Sequence, residues 1–114
     1  PQVAGVQQFG CYVLGHVCLG TNLAGLARKQ SATFAGGIEL VVAALQAHPQ
    51  VASVQRFGCA ALFNVCHGSA AAARARRQRA VTAGATEAAI GAMRAHPDDA
   101  ELQRQGQYLR DLLA

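Results

Sequence analysis

The stretch PQVAGVQQFGCYVLGHVCLG, which begins at Pro1, returns as PQVASVQRFGCAALFNVCHG at Pro49 and, degraded, as PDDAELQRQGQYLRDLLA at Pro97. Each return comes 48 residues after the last. Between them, AGGIELVVAALQAHP from Ala35 is answered at the same step by AGATEAAIGAMRAHP from Ala83. Residues 1–48 set against 49–96 share 24 identities without a gap. Two Ala-rich segments match by chance at Ala; they do not keep Phe, Gly and Cys in register with Pro and His. The sequence therefore reads as a tandem array of two and a third copies of one unit, beginning inside a unit. Opening on Pro1 rather than Met, it also reads as processed or cut from something longer.

Each unit reads as three helices. The first is predicted over about Leu23 to Phe34 and again over Ala70 to Thr82, stretches of strong helix formers without proline. Gly36 and Gly84 follow, where the backbone can turn sharply. The second helix, about Ile38 to Ala47, places Ile38, Val41, Val42 and Leu45 at helical spacing. His48-Pro49 stops it, because a residue before proline is pushed out of helical conformation. The third is predicted from near Ser53 to near Gly68, with Ser53 as N-cap and its counterpart Glu101 favouring the same helix end. Val54, Cys59, Ala61, Leu62, Val65 and Cys66 form its buried side, and small residues such as Gly58 and Ala61 allow close helix contact. His48 and His96, before the prolines, are read as caps for helix-end carbonyls. One unit cannot bury its apolar faces alone, but stacked neighbours can. The expectation is an all-α fold, a right-handed α-solenoid of about seven helices forming a single domain over 1–114. It divides into a third-helix remnant at 1–20, a full repeat at 21–68 and a terminal repeat at 69–114. The remnant helix at 6–18 has lost its own two preceding helices, so its exposed apolar end should need a partner, a longer chain or a second copy.

Composition agrees and narrows the function. The 114 residues are 52% hydrophobic and only 14% charged, about half the usual share, which argues against a disordered tail. No apolar run reaches the roughly 18 residues of a membrane span. The net charge of +4 is a mild excess that favours acidic partners without identifying nucleic acid. Four cysteines fall in two pairs, Cys11 with Cys18 and Cys59 with Cys66. A spacing of seven separates the members of each pair by about 10 Å along a helix, too far for a disulfide. It also suits no structural zinc site, so buried free thiols in a reducing compartment, cytoplasmic or within an organelle, are the reading.

The unit resembles the armadillo repeat. AGGIELVVAAL followed by VQRFGCAALFNVC looks like that family's second helix GAIPALVALL and third helix VQEAALWALSNIA. Gly36, Ile38, Leu45, Val54, Gln55, Ala61, Leu62, Asn64 and Val65 fall at matching positions. The unit is longer than the family's usual length of about 42 residues, with the excess in and before its first helix. The resemblance implies a non-catalytic binding module whose third helices line a concave groove, where an Asn near each helix end grips an extended peptide. Asn64 keeps that residue; His16 and Asp111 are read as its equivalents. The family's groove Trp is replaced by Tyr12, Ala60 and Gln107, so a nuclear-import role is not carried over.

Two surfaces emerge as candidate sites. The concave strip of Tyr12, His16, Arg56, Asn64, His67, Arg104 and Asp111 would bind a protein partner, with Tyr12 and Arg56 as hot spots. The cluster Arg74, Arg76, Arg77 and Arg79, echoed by Arg28 and Lys29, reads as a solvated outer helix face. It could alternatively contact an anionic surface: an acidic protein, a phospholipid headgroup layer or RNA. With no aromatic residues interleaved to stack bases, nucleic acid is disfavoured. No cofactor and no metal are expected, and neither His16 nor His67 has a triad partner at a suitable spacing. The expected role is an interaction or scaffold module within a larger assembly. The alternatives are a peptide-binding adaptor and, further off, an accessory domain of a metal- or cofactor-dependent enzyme.

Overall fold

The computed structural model describes Ala4, residues 28–31 and residues 36–114. Among the described residues the fold is all-helical, without strands. Five complete helices follow one another: α1 (Gly37–Ala47), α2 (Ala52–Cys66), α3 (Ala71–Ala83), α4 (Ala85–Ala95) and α5 (Ala100–Leu113). Residues 28–31 are also helical, within the first helix predicted for 23–34. The remnant helix predicted at 6–18 lies outside the described residues.

The 48-residue step reappears in the backbone. Gly36 and Gly84 stand in the left-handed region, φ 78° and φ 96°, each at the start of a second-type helix. At the other end His48 and His96 break out of helix at φ −130° and φ −133°, each before its proline. A pair of side-chain clasps then locks the turn. Gln55 Nε2 donates to the carbonyls of Leu45 and His48 at 3.0 and 2.9 Å. Gln103 Nε2 donates to those of Met93 and His96 at 2.9 and 3.0 Å. Helix ends leave carbonyls without intrahelical partners, and one amide satisfies two of them. The third-type helix is thereby tied to the second in both units.

Close crossing follows from glycine. A Cβ at Gly58 would lie 2.5 Å from Leu45 Cδ2, and one at Gly106 would lie 2.7 Å from Met93 Cγ. Both glycines sit where the third-type helix crosses the second, again one repeat apart. The core gathers Ile38, Val41, Val42 and Leu45 from α1 against Val54, Cys59, Leu62, Val65 and Cys66 from α2. In the second unit α4 contributes the small side chains of Ala85, Ala89 and Ala92, and α5 contributes Leu102 and Leu109. α2 lies at the centre, packed against α1, α3, α4 and most extensively α5.

The predicted cap at Ser53 is corrected: α2 starts from Val51, so Ser53 lies inside its helix. α5 starts from Asp99, and Glu101 stands in its first turn, where the helix dipole favours an acid. Val51 offers no capping side chain. The Asp99 carboxylate accepts from the Leu102 N–H at 3.0 Å, the arrangement that stabilises a helix start. The units are further joined by Arg56 to Asp99 at 2.6 Å, by Arg79 to Glu39 at 2.6 Å and by the His96 ring donating to the Pro49 carbonyl at 2.9 Å. The His96 ring thus reaches the preceding unit, while its backbone N–H closes its own helix on the Ala92 carbonyl.

Candidate functional site

α3 reads AAARARRQRAVTA and has no apolar stripe in the usual sense. The residues it buries are Ala73, Arg76 and Ala80, spaced three and four apart on one face. The two alanines leave room for a guanidinium between them, and Arg76 is only 2% exposed. Its Nε donates to the Val65 carbonyl at 2.7 Å and its Nη1 to Gln30 Oε1 at 3.0 Å. Arg77 Nη1 donates to the carbonyls of Cys66 at 3.0 Å and Gly68 at 2.8 Å. Buried Lys29 completes the set, its Nζ donating to the His67 carbonyl at 3.0 Å. Four consecutive carbonyls, from Val65 to Gly68, are therefore capped by three cations. The negative end of the α2 dipole is where such charges are favoured.

This corrects the reading of the arginine cluster as a solvated face. Arg76 is a core residue and Arg77 is half-buried against α2. Arg79 is paired with Glu39; their hydrogen bond holds the Glu39 carboxyl below the usual range and raises Arg79 above its own. Arg74 remains exposed. The signal that could have revealed the capping role was present: Arg28-Lys29 and Arg76-Arg77 stand one repeat apart.

Of the residues expected to form a concave strip, His67 and Asp111 are brought together around one depression. Tyr12 and His16 lie outside the described residues. Arg56, named as a hot spot, is half-buried and engaged with Asp99, so it is an inter-unit tie. Asn64 is half-buried, while His67 is exposed and stacks on Phe63 with ring centroids 5.2 Å apart. Arg104 is exposed and pairs with Glu101 on its own helix. Asp111 is exposed and accepts from Gln107 Nε2 at 2.8 Å.

The register of α5 also needs correction. The Gln55 and Gln103 clasps fix the 48-residue step, so Tyr108 rather than Gln107 is equivalent to Ala60, and Leu112 rather than Asp111 to Asn64. Tyr108 was missed for that reason. It is 49% exposed and tilts against Phe63 at 6.1 Å between centroids. His67, Phe63 and Tyr108 thus form an aromatic ledge across α2 and α5.

At the end of this ledge an open depression of about 580 Å³ is lined by His67, Gly68, Ser69, Arg77, Asp111 and Leu112. It joins two residues of the concave strip, His67 and Asp111, to one of the arginine cluster. A smaller groove of about 240 Å³ lies between α1 and α4, bordered by Gln46, Pro49, Glu87 and Gly91.

The cysteines within the described residues, Cys59 and Cys66, are buried free thiols. Burial pushes the Cys66 thiol up to about 11, against the pull of Arg76, Arg77 and Lys29. Such a thiol is a poor nucleophile at neutral pH. Among the described residues no group of three or more His, Cys, Asp or Glu side chains is placed to hold a metal ion. Among them, too, no helix is long and apolar enough to cross a membrane. No family model matches the chain, and no curated protein or solved structure matches it.

Proposed function

We propose that the chain is a non-catalytic protein-interaction or scaffold module, a right-handed solenoid of armadillo-like three-helix repeats that serves as a piece of a larger protein or assembly. The helices α3, α4 and α5 make up one three-helix unit, and the repeated glutamine clasps and glycine crossings support equivalent units. The ties from Arg56 to Asp99, Arg79 to Glu39 and His96 to Pro49 support their stacking. The observation that carries the functional reading is the ledge of Phe63, His67 and Tyr108. Rigid aromatic side chains half open to water, with Asp111 beside His67, have the composition of a protein-docking surface. Buried Cys59 and Cys66 thiols support a reducing compartment.

The test is affinity capture with mass spectrometry on the chain and on its Tyr108→Ala variant. Tyr108 is exposed, so the variant should keep its helicity by circular dichroism while specific partners fall away. Capture of the same proteins in the same amounts by both would refute docking through this ledge.

A further inference from the structure

The depression at the end of the ledge is rich in donors. Arg77 uses Nη1 alone on the α2 carbonyls; its Nε and Nη2 take no partner among the described residues. The same holds for the ring nitrogens of His67, whose contact is the stack on Phe63, and for the Ser69 hydroxyl. A guanidinium fork, an imidazole and a hydroxyl that line one cavity make a set for an oxyanion. The guanidinium is held in place from behind by the Cys66 and Gly68 carbonyls, so little ordering is left for a ligand to impose.

The acid in the lining decides which oxyanion. The Asp111 carboxylate lines the same cavity as Arg77 and is oriented by Gln107. A phosphate dianion would double both the attraction to Arg77 and the repulsion from Asp111, while its desolvation costs far more than that of a single charge. With one cation and one acid in the lining, a singly charged carboxylate is the better match. Leu112 supplies an apolar side to the cavity, and the aromatic ledge begins at His67. A carboxylate flanked by apolar side chains fits both features, whereas a polyphosphate backbone fits neither.

We infer that this depression seats a carboxylate of an acidic peptide segment in the partner, with the apolar neighbours of that carboxylate resting on Leu112 and the Phe63–Tyr108 ledge. The inference rests on the docking role proposed above and names the chemistry of the partner.

The probe is a fluorescein-labelled peptide alternating Leu and Glu, followed by fluorescence anisotropy against the intact chain, with a Leu–Lys peptide as control. The His67→Ala, Ser69→Ala double variant should bind the acidic peptide about tenfold more weakly. Asp111→Asn should bind it about threefold more tightly, because a fixed repulsion is removed. Both variants keep the backbone carbonyls at the end of α2 and the cations that reach them, so both should fold as the parent does, checked by far-UV circular dichroism. Equal binding of the Leu–Lys peptide, no change or a loss in Asp111→Asn, or preferential binding of a single-stranded RNA of matched charge would each overturn the inference. If the acidic peptide fails to bind while Tyr108-dependent capture persists, the carboxylate seat is wrong and the docking ledge stands. Failure of both removes the two together.

Discussion

Replacing Gln55 by Met tests whether the repeat is held by its amide clasps. Met is close to Gln in length and volume, so packing is kept and the donors are removed. Gln55 is 1% exposed and satisfies the carbonyls of Leu45 and His48 at once. Two hydrogen bonds contribute about 1 kcal/mol each, and the Leu45 carbonyl, in a buried contact, gains no water in exchange; the loss should be about 2–3 kcal/mol. For a chain of this size that lowers the melting temperature by roughly 10 °C. Gln103→Met removes the same geometry from a half-buried position, where solvent can replace the donor, and should cost about 1 kcal/mol. The measurement is urea denaturation of the parent and both variants, followed by far-UV circular dichroism. If Gln55→Met costs less than about 0.5 kcal/mol, or Gln103→Met costs more than its counterpart, the carbonyls are solvated and the clasp argument fails.

The glycine crossings should separate in the same assay. Gly58→Ala drives a methyl against buried Leu45 and should destabilise by about 1–2 kcal/mol net of the gain in helix propensity, whereas Gly106→Ala meets the flexible, half-buried Met93 and should be near neutral. Equal costs would show that the crossings are looser than described. The Asp99 carboxyl is held below its usual range by the Leu102 N–H and by Arg56. Its stabilising contribution is therefore complete above the ordinary carboxylate range and is lost as the pH falls toward its lowered value; thermal melts from pH 6 downward should show this loss, diminished in Asp99→Ala. An unchanged pH profile in that variant would place the acid sensitivity elsewhere. Cys66 should resist iodoacetamide at neutral pH until the chain is unfolded, since its thiol is buried and titrates near 11. Fast labelling of native Cys66, read by peptide mass spectrometry, would contradict that burial. Cys59→Ala or Cys66→Ala should cost about 1 kcal/mol without loss of partner capture.

Much of this architecture was written in the order of residues. His-Pro after an apolar periodic run ended the second helix, and α1 and α4 close at Ala47 and Ala95 as that rule requires. Three helices were expected per unit, and α3, α4 and α5 supply them in the last one; the glycine positions foretold the close crossings. What failed was the chemistry of polar side chains in buried places. Periodicity counts Arg as a surface residue, so a stripe of Ala73, Arg76 and Ala80 is invisible to it. Gln55 matched the family pattern and was read only as a match; that its amide clasps two helix-end carbonyls depends on a tertiary approach no window of sequence contains. The cap at Asp99 was within reach, because Asp followed by Ala-Glu-Leu is a helix start. Ser53 drew attention two residues too late.

The site was harder to read for a physical reason that bears on its use. α2 is covered on most sides, so Cys59, Leu62 and Cys66 are buried and Phe63 is half-buried. Their counterparts one repeat on are Gln107, Arg110, Ala114 and Asp111, and Gln107 and Asp111 are exposed. The third copy therefore looks degraded by the standard of its siblings, and a comparison of copies slips by one residue there. Yet the polar substitutions follow from solvent exposure, which removes the penalty for a charge and the gain from a thiol. One of them places a carboxylate beside Arg77, at the end of the aromatic ledge. The scaffold residues repeat because each unit must solve the same packing problem. The surface at Tyr108 and Asp111 departs from the repeat at exposed positions, where packing sets no common demand, as the proposed docking role requires.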